Sequence, residues 1–401
     1  MSGADYSSPS DQRGHFPDVD PLRRVWLFSM AVGVGIVAIL FTYVNIVNWH
    51  GGAPLGYDSY YYVGFINSVV SSGPLQFAAS QHYVEFLYPI VASIPVYLGA
   101  SADSVEIVLP VVMACTLVVA VGILAREACD WRVAILSVAF SSGWYAAYSM
   151  VADFHANLLA FPLLLLASAL LVRAARKGGV TGPVLGAFLV LVVLAGAAHV
   201  ETTDFFIAAW FAALVLLGWK TSSRSWRWSS FMILTGALAA APFTFAYFQP
   251  IAAGGLGAQY CVYLPYWLKV FGPGAGLAIL GIGVAAWRTK LGAPEGGFTS
   301  LLLSWSLLAV AIGIPGYVTQ FPISISDRSL LLLPQPLVSS IGTCWLLGQF
   351  PKVERFSQPR LYMILAVVVP LVTAPLVFSY IAPAFRFFAV HGPSLVTCAS
   401  K

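Results

Sequence analysis

The sequence predicts an all-α polytopic membrane protein, and three observations support this prediction. The 401 residues are 59% hydrophobic and only 9% charged, with a mean hydropathy of +0.84, whereas a soluble domain carries roughly 25% charged residues. Apolar windows of about 15 to 23 residues recur along the whole chain, as expected where a bilayer is the solvent. The basic residues between these windows fall predominantly on one side.

Eleven apolar windows are predicted to cross the membrane. They cover residues 25–47, 105–125, 133–150, 157–172, 183–198, 205–219, 231–248, 267–286, 300–317, 330–349 and 362–381. Residues 1–24 then form a cytoplasmic tail, residues 25–381 a single transmembrane domain, and residues 382–401 a short extracytoplasmic tail. We expect an integral protein of a prokaryotic plasma membrane, in contact with membrane lipids.

The lysine and arginine positions predict the orientation. With the N terminus inside, sixteen of the 20 basic residues lie on the cytoplasmic side and four outside. The opposite orientation reverses this ratio, so the positive-inside rule favours a cytoplasmic N terminus. The net charge is only +4 and no basic stripe is present, which excludes the usual nucleic-acid-binding surface.

Residues 83–98 are apolar enough to resemble a further span. Counting them as one inverts every later loop and places most basic residues outside. The segment also contains Glu85, Pro89 and Pro95. We therefore assign it to a long first extracytoplasmic loop, residues 48–104, as an interfacial helix.

Polar residues gather at the predicted outer ends of the spans. Asp58 precedes three tyrosines, a pattern typical either of a catalytic carboxylate beside aromatic rings or of a helix N-cap followed by interfacial tyrosines. Asp153 and His155 begin another span and allow the same two interpretations. Ionisable groups at membrane depth are costly and are usually functional or paired, so this grouping predicts a polar cavity that opens outward.

Two further groups belong to this face. His199 ends an apolar helix, and Glu201 follows it in a short outer turn. Arg328 follows Asp327 directly before a span, and it forms either a plain salt bridge or a site for an anionic phosphate.

The order of these features resembles the GT-C superfamily of membrane glycosyltransferases, especially the protein-mannosyltransferase and aminoarabinose-transferase-like branch. The resemblance spans roughly residues 25–220 and rests on order and spacing. It is carried by Asp58 to Tyr61 after the first span, the aromatic-proline segment 85–89, the helix start 105–110, the inner turn 126–132 and the return at 149–153.

The resemblance implies an enzyme that takes a sugar from a polyprenyl-phosphate carrier and passes it, with inversion, to a lipid, glycan or protein acceptor on the outer face. It implies that Asp58 is the catalytic carboxylate and that Asp153 is the second acidic residue of the site. A Lys-Gly-Pro sequence is common in the family where this chain has His199, Val200 and Glu201. A histidine can still donate to a phosphate, and His199 and Arg328 are the candidates for binding the lipid phosphate.

This chemistry agrees with the physical requirements of the reaction. A carboxylate can remove the proton from an acceptor hydroxyl, and a phosphate leaving group needs cationic donors. The expected substrate-binding residues are Tyr60, Tyr61, Glu85, Tyr88, His155 and Glu201. A divalent cation on Asp58 and Asp153 is compatible with this site, although no dense carboxylate cluster requires one.

Two other functions remain open at this point. A lipid or polysaccharide transporter, or flippase, is expected to show charged residues at mid-span and broken helices. A non-catalytic subunit with the same fold is the third interpretation.

Overall fold

The structure is a computed structural model. It describes residues 21–47, 58–80, 85–144, 147, 150, 154–218, 223–252, 274, 276–287, 296–319, 332–349 and 358–391. Within these ranges the regular structure is helical throughout, which confirms the predicted all-α class. The catalytic candidate Asp153 and the phosphate-binding candidate Arg328 lie outside the described residues.

The first part of the chain forms one long helix, three short helices and a second long helix. These are α1 (Pro21–Val47), α2 (Asp58–Ser72), α3 (Pro74–Ser80), α4 (Leu87–Tyr97) and α5 (Ala102–Ala128). Ser101 caps α5, because its side chain accepts a hydrogen bond from Ser104 N. A cap defines the start of a helix that must then run unbroken through apolar surroundings.

Five helices follow in the middle part of the described chain, and those between residues 155 and 218 are joined by short turns. They are α6 (Trp131–Ser141), α7 (His155–Lys177), α8 (Gly182–Ala198), α9 (Val200–Gly218) and α10 (Ser223–Ala252). Asp130 caps α6 by accepting from Arg132 N and Val133 N. Gly178 ends α7 in the left-handed conformation at φ 59°, which glycine adopts without a Cβ clash.

The described residues of the last part form four further helices. They are α11 (Gly276–Trp287), α12 (Gly296–Thr319), α13 (Gln335–Gly348) and α14 (Gln358–His391). α5 packs against α1, α6 and α7, α7 packs against α8, α9 packs against α10 and α12, and α14 packs against α1. Large aromatic side chains fill the centre, where the rings of Phe206 and Trp305 lie 4.8 Å apart.

Five of the described helices are long and apolar enough to cross a membrane. They are Pro21–Tyr43, Ala102–Ala128, His155–Lys177, Arg227–Ala246 and Gln358–Val377. This confirms a helical membrane fold, while the expected number of eleven spans stays a prediction. α4 has only 11 residues, or about 16 Å, against a hydrocarbon core of about 30 Å. Its length agrees with its assignment to the first loop.

The bundle has a polar end and a basic end. Glu106 lies near the start of α5, and His155 is the first residue of α7. At the other ends of the same helices, Arg173 lies 3.7 Å from the Glu127 carboxylate, and Arg176 donates to Glu127 O at 2.6 Å. Glu106 and Arg126 are separated by about 30 Å along α5. We call these two regions the polar end and the basic end.

Candidate active site

The polar end contains a buried carboxylate that joins three helices. Glu106 of α5 accepts a hydrogen bond from the Tyr88 hydroxyl of α4 through Oε2, at 2.7 Å. Its Oε1 atom lies 2.5 Å from Nδ1 of His155 at the start of α7. The side chains of His155 and Glu106 are 1% and 0% exposed, so these hydrogen bonds replace the solvent around both groups.

Tyr62 of α2 completes this group. Its ring stacks on the His155 imidazole with centroids 5.1 Å apart and meets the Tyr88 ring edge-on at 4.7 Å. Its hydroxyl accepts a hydrogen bond from Ala156 N at 3.3 Å. We call Tyr62, Tyr88, Glu106 and His155 the dyad cluster, after the Glu106–His155 pair.

The chemistry of the dyad cluster follows from its donors and acceptors. Burial and the neighbouring Glu106 carboxylate raise the pKa of the Tyr88 phenol well above its ordinary value. The phenol therefore stays protonated and donates to Glu106. A second hydrogen bond joins the carboxylate, through Oε1, to Nδ1 of His155.

A second network lies beside the first one. His199, between α8 and α9, places Nε2 at 3.0 Å from Oε1 of Glu85. Its Nδ1 atom accepts a hydrogen bond from Thr202 N at 3.1 Å. The Thr202 hydroxyl lies 2.9 Å from the same nitrogen and accepts from the Asn157 amide at 3.1 Å. We call Glu85, Asn157, His199 and Thr202 the His199 network.

The backbone donor determines the tautomer of His199. Because Thr202 N donates to Nδ1, that nitrogen carries no proton, and the proton of the neutral ring is on Nε2. Nε2–H is thus donated to Glu85. His199 is fully buried, whereas the Glu85 side chain is 34% exposed. His199, which is predicted to bind the donor phosphate, therefore faces the Glu85 carboxylate in this structure.

The two groups share their supporting elements. Glu85 lies two residues before α4 and Tyr88 is the second residue of that helix, while His155 and Asn157 are two apart in α7. Glu201, in the first turn of α9, is buried as well. One turn further on, Asp204 accepts a hydrogen bond from the Thr244 hydroxyl of α10 at 2.7 Å.

The structure brings several predicted site residues together. Glu85 contacts His199, and Tyr88 and His155 bind the same carboxylate. Asp58 is the first residue of α2, one helical turn before Tyr62. The side chains of Asp58 and Tyr60 lie outside the described residues.

The tyrosines divide into different roles. Tyr61 is 55% exposed and is accessible to a ligand. Tyr88 is fully covered by the protein, so its ring supports Glu106 and is not presented as a stacking surface. Substrate binding by Tyr88 therefore stays a prediction.

Sequence reasoning left Tyr62 and Glu106 out of the dyad cluster, and Asn157 and Thr202 out of the His199 network. Tyr62 lies on the buried face of α2 with Ser59, Ile66 and Val69, and this spacing of three and four residues is readable in the sequence. Glu106 lies near the start of α5. Its partners are 18 and 49 residues away, and no local pattern indicates them.

Neither a protein-family model nor a curated protein matches this sequence. Solved structures of an archaeal oligosaccharyltransferase from Archaeoglobus fulgidus are similar in fold. The apo form aligns with a TM-score of 0.58 and 13% identity, over 89% of this chain and 56% of that chain. The complex with an inhibitory peptide and a dolichol-phosphate aligns with a TM-score of 0.60 and 12% identity, over 91% and 56%.

A third structure of that enzyme, with Zn and sulfate, has a TM-score of 0.55 and 15% identity over 87% and 53% of the two chains. This chain therefore spans about half the length of the proteins it matches. The fold of this chain is therefore similar to that of these oligosaccharyltransferases. At such low identity the likeness shows the fold alone, and the predicted branch is not distinguished.

Proposed function

We propose that this protein is a glycosyltransferase that moves a sugar from a polyprenyl-phosphate-linked donor to an acceptor on the extracytoplasmic face. The observation that carries the proposal is the concentration of buried, hydrogen-bonded ionisable groups at one end of a GT-C-type bundle. One of the similar structures was obtained with a dolichol-phosphate. This supports a lipid-phosphate donor for the present chain.

In the proposed reaction, Asp58 acts as the general base. Its carboxylate takes the proton of the acceptor hydroxyl, the hydroxyl oxygen forms a bond to the anomeric carbon, and the bond from that carbon to the phosphate oxygen breaks. The products are the glycosylated acceptor and the polyprenyl phosphate. A single displacement inverts the anomeric configuration. The location of Asp58 at the start of α2, one turn before Tyr62, supports this assignment.

The departing phosphate carries negative charge that the protein must stabilise. We assign this role to His199 and Arg328. His199 has its proton on Nε2, which is the form that donates to an anion. In this structure the Glu85 carboxylate accepts the hydrogen bond from Nε2–H. The phosphate must therefore displace Glu85 before His199 can bind it.

A divalent cation suits the same chemistry. One of the similar structures contains Zn and sulfate. Asp58 and Asp153 would hold a cation here, and it would neutralise charge on the phosphate. Among the described residues no group of three histidine, cysteine or acidic side chains forms a metal site, and both candidate ligands have side chains outside that part of the chain.

The alternative is a lipid or polysaccharide transporter. A transporter is expected to place ionisable groups near the bilayer midplane. In the described residues the dyad cluster and the His199 network lie at helix ends, about 30 Å from the basic end along α5. This arrangement favours an enzyme with one accessible face. From the charge distribution of the sequence we further propose that the N terminus lies in the cytoplasm, and we propose a prokaryotic plasma membrane as the location. A non-catalytic subunit remains to be tested by activity.

A transfer assay with purified protein tests the proposal. The donors are radiolabelled polyprenyl-phosphate sugars, and the acceptors are supplied by extracts of the membranes in which the protein naturally occurs. We expect wild-type transfer and a loss of about a hundredfold or more in Asp58→Asn, with unchanged donor binding. Asp103→Asn is the matched control, because Asp103 is an exposed carboxylate in the first turn of α5. Full activity in Asp58→Asn would eliminate Asp58 as the base.

A further inference from the structure

We propose that the first-loop helices carry an apolar tip that inserts into the lipid leaflet at the polar end of the bundle. The apolar tip consists of Leu75 at the start of α3 and of Ile94, Tyr97 and Leu98 at the end of α4. The inference goes beyond the proposed function, since it concerns the membrane contact of these helices and holds whether or not the protein transfers a sugar.

The apolar tip contains the most exposed large hydrophobic side chains of the described residues. These are Leu75 and Leu98, which are 87% and 84% exposed. Ile94 and Tyr97, in the last turn of α4, are 56% and 52% exposed. Single exposed leucines are common on proteins, whereas several exposed apolar side chains at one place mark a contact with a partner or a membrane.

Two contacts show that these side chains share one end of the first-loop helices. Tyr62 of α2 and Tyr88 of α4 meet in the dyad cluster, with ring centroids 4.7 Å apart. Further along the same helices, the Tyr97 hydroxyl donates to Val69 O at 3.0 Å. α2 and α4 therefore run side by side in the same direction, away from the candidate site. Leu75 follows the last residue of α2 by three positions, so it lies at this end as well.

Polar groups near the apolar tip are hydrogen-bonded within their own helices. The exposed Ser68, Ser71 and Ser72 of α2 each donate their hydroxyl to a backbone carbonyl one turn earlier, at 2.7 to 3.1 Å. The backbone amides of Leu98 and Gly99 donate to carbonyls in the last turn of α4, at 3.1 and 2.9 Å. Because an unsatisfied polar group is costly in lipid, this internal bonding allows the tip to enter an apolar medium.

The apolar tip is also uncharged. Residues 59–102 contain a single acidic or basic residue other than histidine, Glu85, whereas soluble domains carry roughly 25% charged residues. The Glu85 carboxylate lies beside the start of α4, away from the tip, at 3.0 Å from Nε2 of His199. No side chain of the tip therefore carries a charge that opposes its transfer from water into the headgroup and acyl-chain boundary.

The location of the apolar tip identifies lipid as its partner. Residues 99–101 join Leu98 to α5, which is long and apolar enough to cross a membrane. Exposed apolar side chains continue on α5 at Val108 and Val112, about 9 and 15 Å from its first residue. The tip thus adjoins a surface that acyl chains cover, and a tyrosine such as Tyr97 is typical of the headgroup level. Lipid, rather than a second copy of the chain or a soluble protein, therefore covers the tip.

Fluorescence quenching in lipid nanodiscs that hold one copy of the full chain tests the proposal. Leu75→Cys and Leu98→Cys, each in a background without the five native cysteines, are labelled with an environment-sensitive fluorophore. Because both leucines are exposed, these substitutions leave the packing of the interior intact. The discs contain phosphatidylcholine with a nitroxide either on the acyl chain or on the headgroup, so the stronger quencher reports the depth of the label.

We expect the acyl-chain nitroxide to quench both labels more strongly than the headgroup nitroxide. Val112→Cys, in the span formed by α5, is the control for a lipid-covered position and is expected to show the same order. Asp103→Cys, at an exposed charged position, is the control for water and is expected to show the opposite order. Stronger quenching by the headgroup nitroxide at both tip positions, or no quenching there, would overturn the proposal.

Thiol reactivity provides a second measurement without an attached fluorophore. In the same discs, a membrane-impermeant maleimide is expected to modify Leu75→Cys and Leu98→Cys about tenfold more slowly than Asp103→Cys, because an apolar surrounding raises the thiol pKa and one pKa unit lowers the thiolate fraction tenfold. Equal rates at the three positions would show that the tip faces water and would overturn the proposal. Protection that requires two copies in one disc would assign the tip to a second copy and would overturn it as well.

Discussion

Glu106 on α5 and His155 on α7 are 49 residues apart in the sequence, and their Oε1 and Nδ1 atoms lie 2.5 Å apart in the structure. The contact ties together the starts of two helices that run toward the basic end. Tyr88 of α4 binds the other oxygen of the same carboxylate, which attaches the first-loop helices to the bundle. Stability and the candidate chemistry therefore depend on one buried carboxylate.

Tyr88→Phe tests the contribution of the phenol to this attachment. The substitution keeps the ring contacts with Tyr62 and His155 and removes the hydrogen bond to Oε2 of Glu106. A buried carboxylate oxygen left without its donor costs about 1–3 kcal/mol. We expect a lower thermal unfolding temperature in detergent. Tyr61→Phe, at an exposed position, is the control, and equal stability of the two variants would contradict this role of Tyr88.

Glu85→Gln tests whether Glu85 competes with the lipid phosphate for His199. In the structure His199 donates Nε2–H to Glu85 at 3.0 Å, and a phosphate near Glu85 also meets a like charge. Replacing a charged acceptor by a neutral one weakens a hydrogen bond by about 1 kcal/mol. The dissociation constant of polyprenyl phosphate is therefore expected to fall about fivefold, with Asp103→Asn as the charge-matched control. Weaker binding would mean that Glu85 contributes directly to the donor site.

Cysteine labelling tests the predicted orientation. Asp103 lies at the polar end and Thr181 in the turn between α7 and α8, and both are exposed. In a background without the five native cysteines, Asp103→Cys is expected to react with a membrane-impermeant maleimide on intact cells. Thr181→Cys is expected to react only after the membrane is opened. The reverse pattern would place the polar end in the cytoplasm.

Gly281→Ala tests the close contact between α11 and α13. A Cβ atom on Gly281 would collide with the backbone carbonyl of Val338, and backbone atoms cannot move aside as a side chain can. Overpacking of this kind costs about 1–3 kcal/mol. Gly283→Ala is the matched control, because a Cβ there meets nothing within 4 Å. Similar unfolding temperatures for the two variants would contradict the tight contact.

Much of the fold follows from patterns that are local in the sequence. The window 105–125 and the helix Ala102–Ala128 coincide because a bilayer demands a long apolar helix. The basic residues Arg173 and Arg176 end α7 as the charge distribution indicated. The exclusion of residues 83–98 from the spans also agrees with the short helix Leu87–Tyr97.

The contacts inside the candidate site join residues that are far apart in the sequence, so sequence patterns do not predict them. Asp58 and Tyr61 stand out because polar and aromatic residues cluster there, yet Tyr62 is the one that stacks on His155. Helical spacing separates the buried Tyr62 from the exposed Tyr61, and only the structure identifies the partner. Likewise, Glu85 was predicted to bind substrate, whereas its hydrogen bond to His199 depends on how α4 and α9 pack.

The location of a bound polyprenyl phosphate tests the central proposal most directly. An experimental structure of the full chain in lipid nanodiscs with polyprenyl phosphate would show the phosphate. We predict that it lies at the polar end, between Asp58, His199 and Arg328, with Glu85 withdrawn from His199. A phosphate at the basic end beside Arg126 and Arg176, or a cavity that is continuous across the membrane, would contradict a glycosyltransferase and favour a transporter.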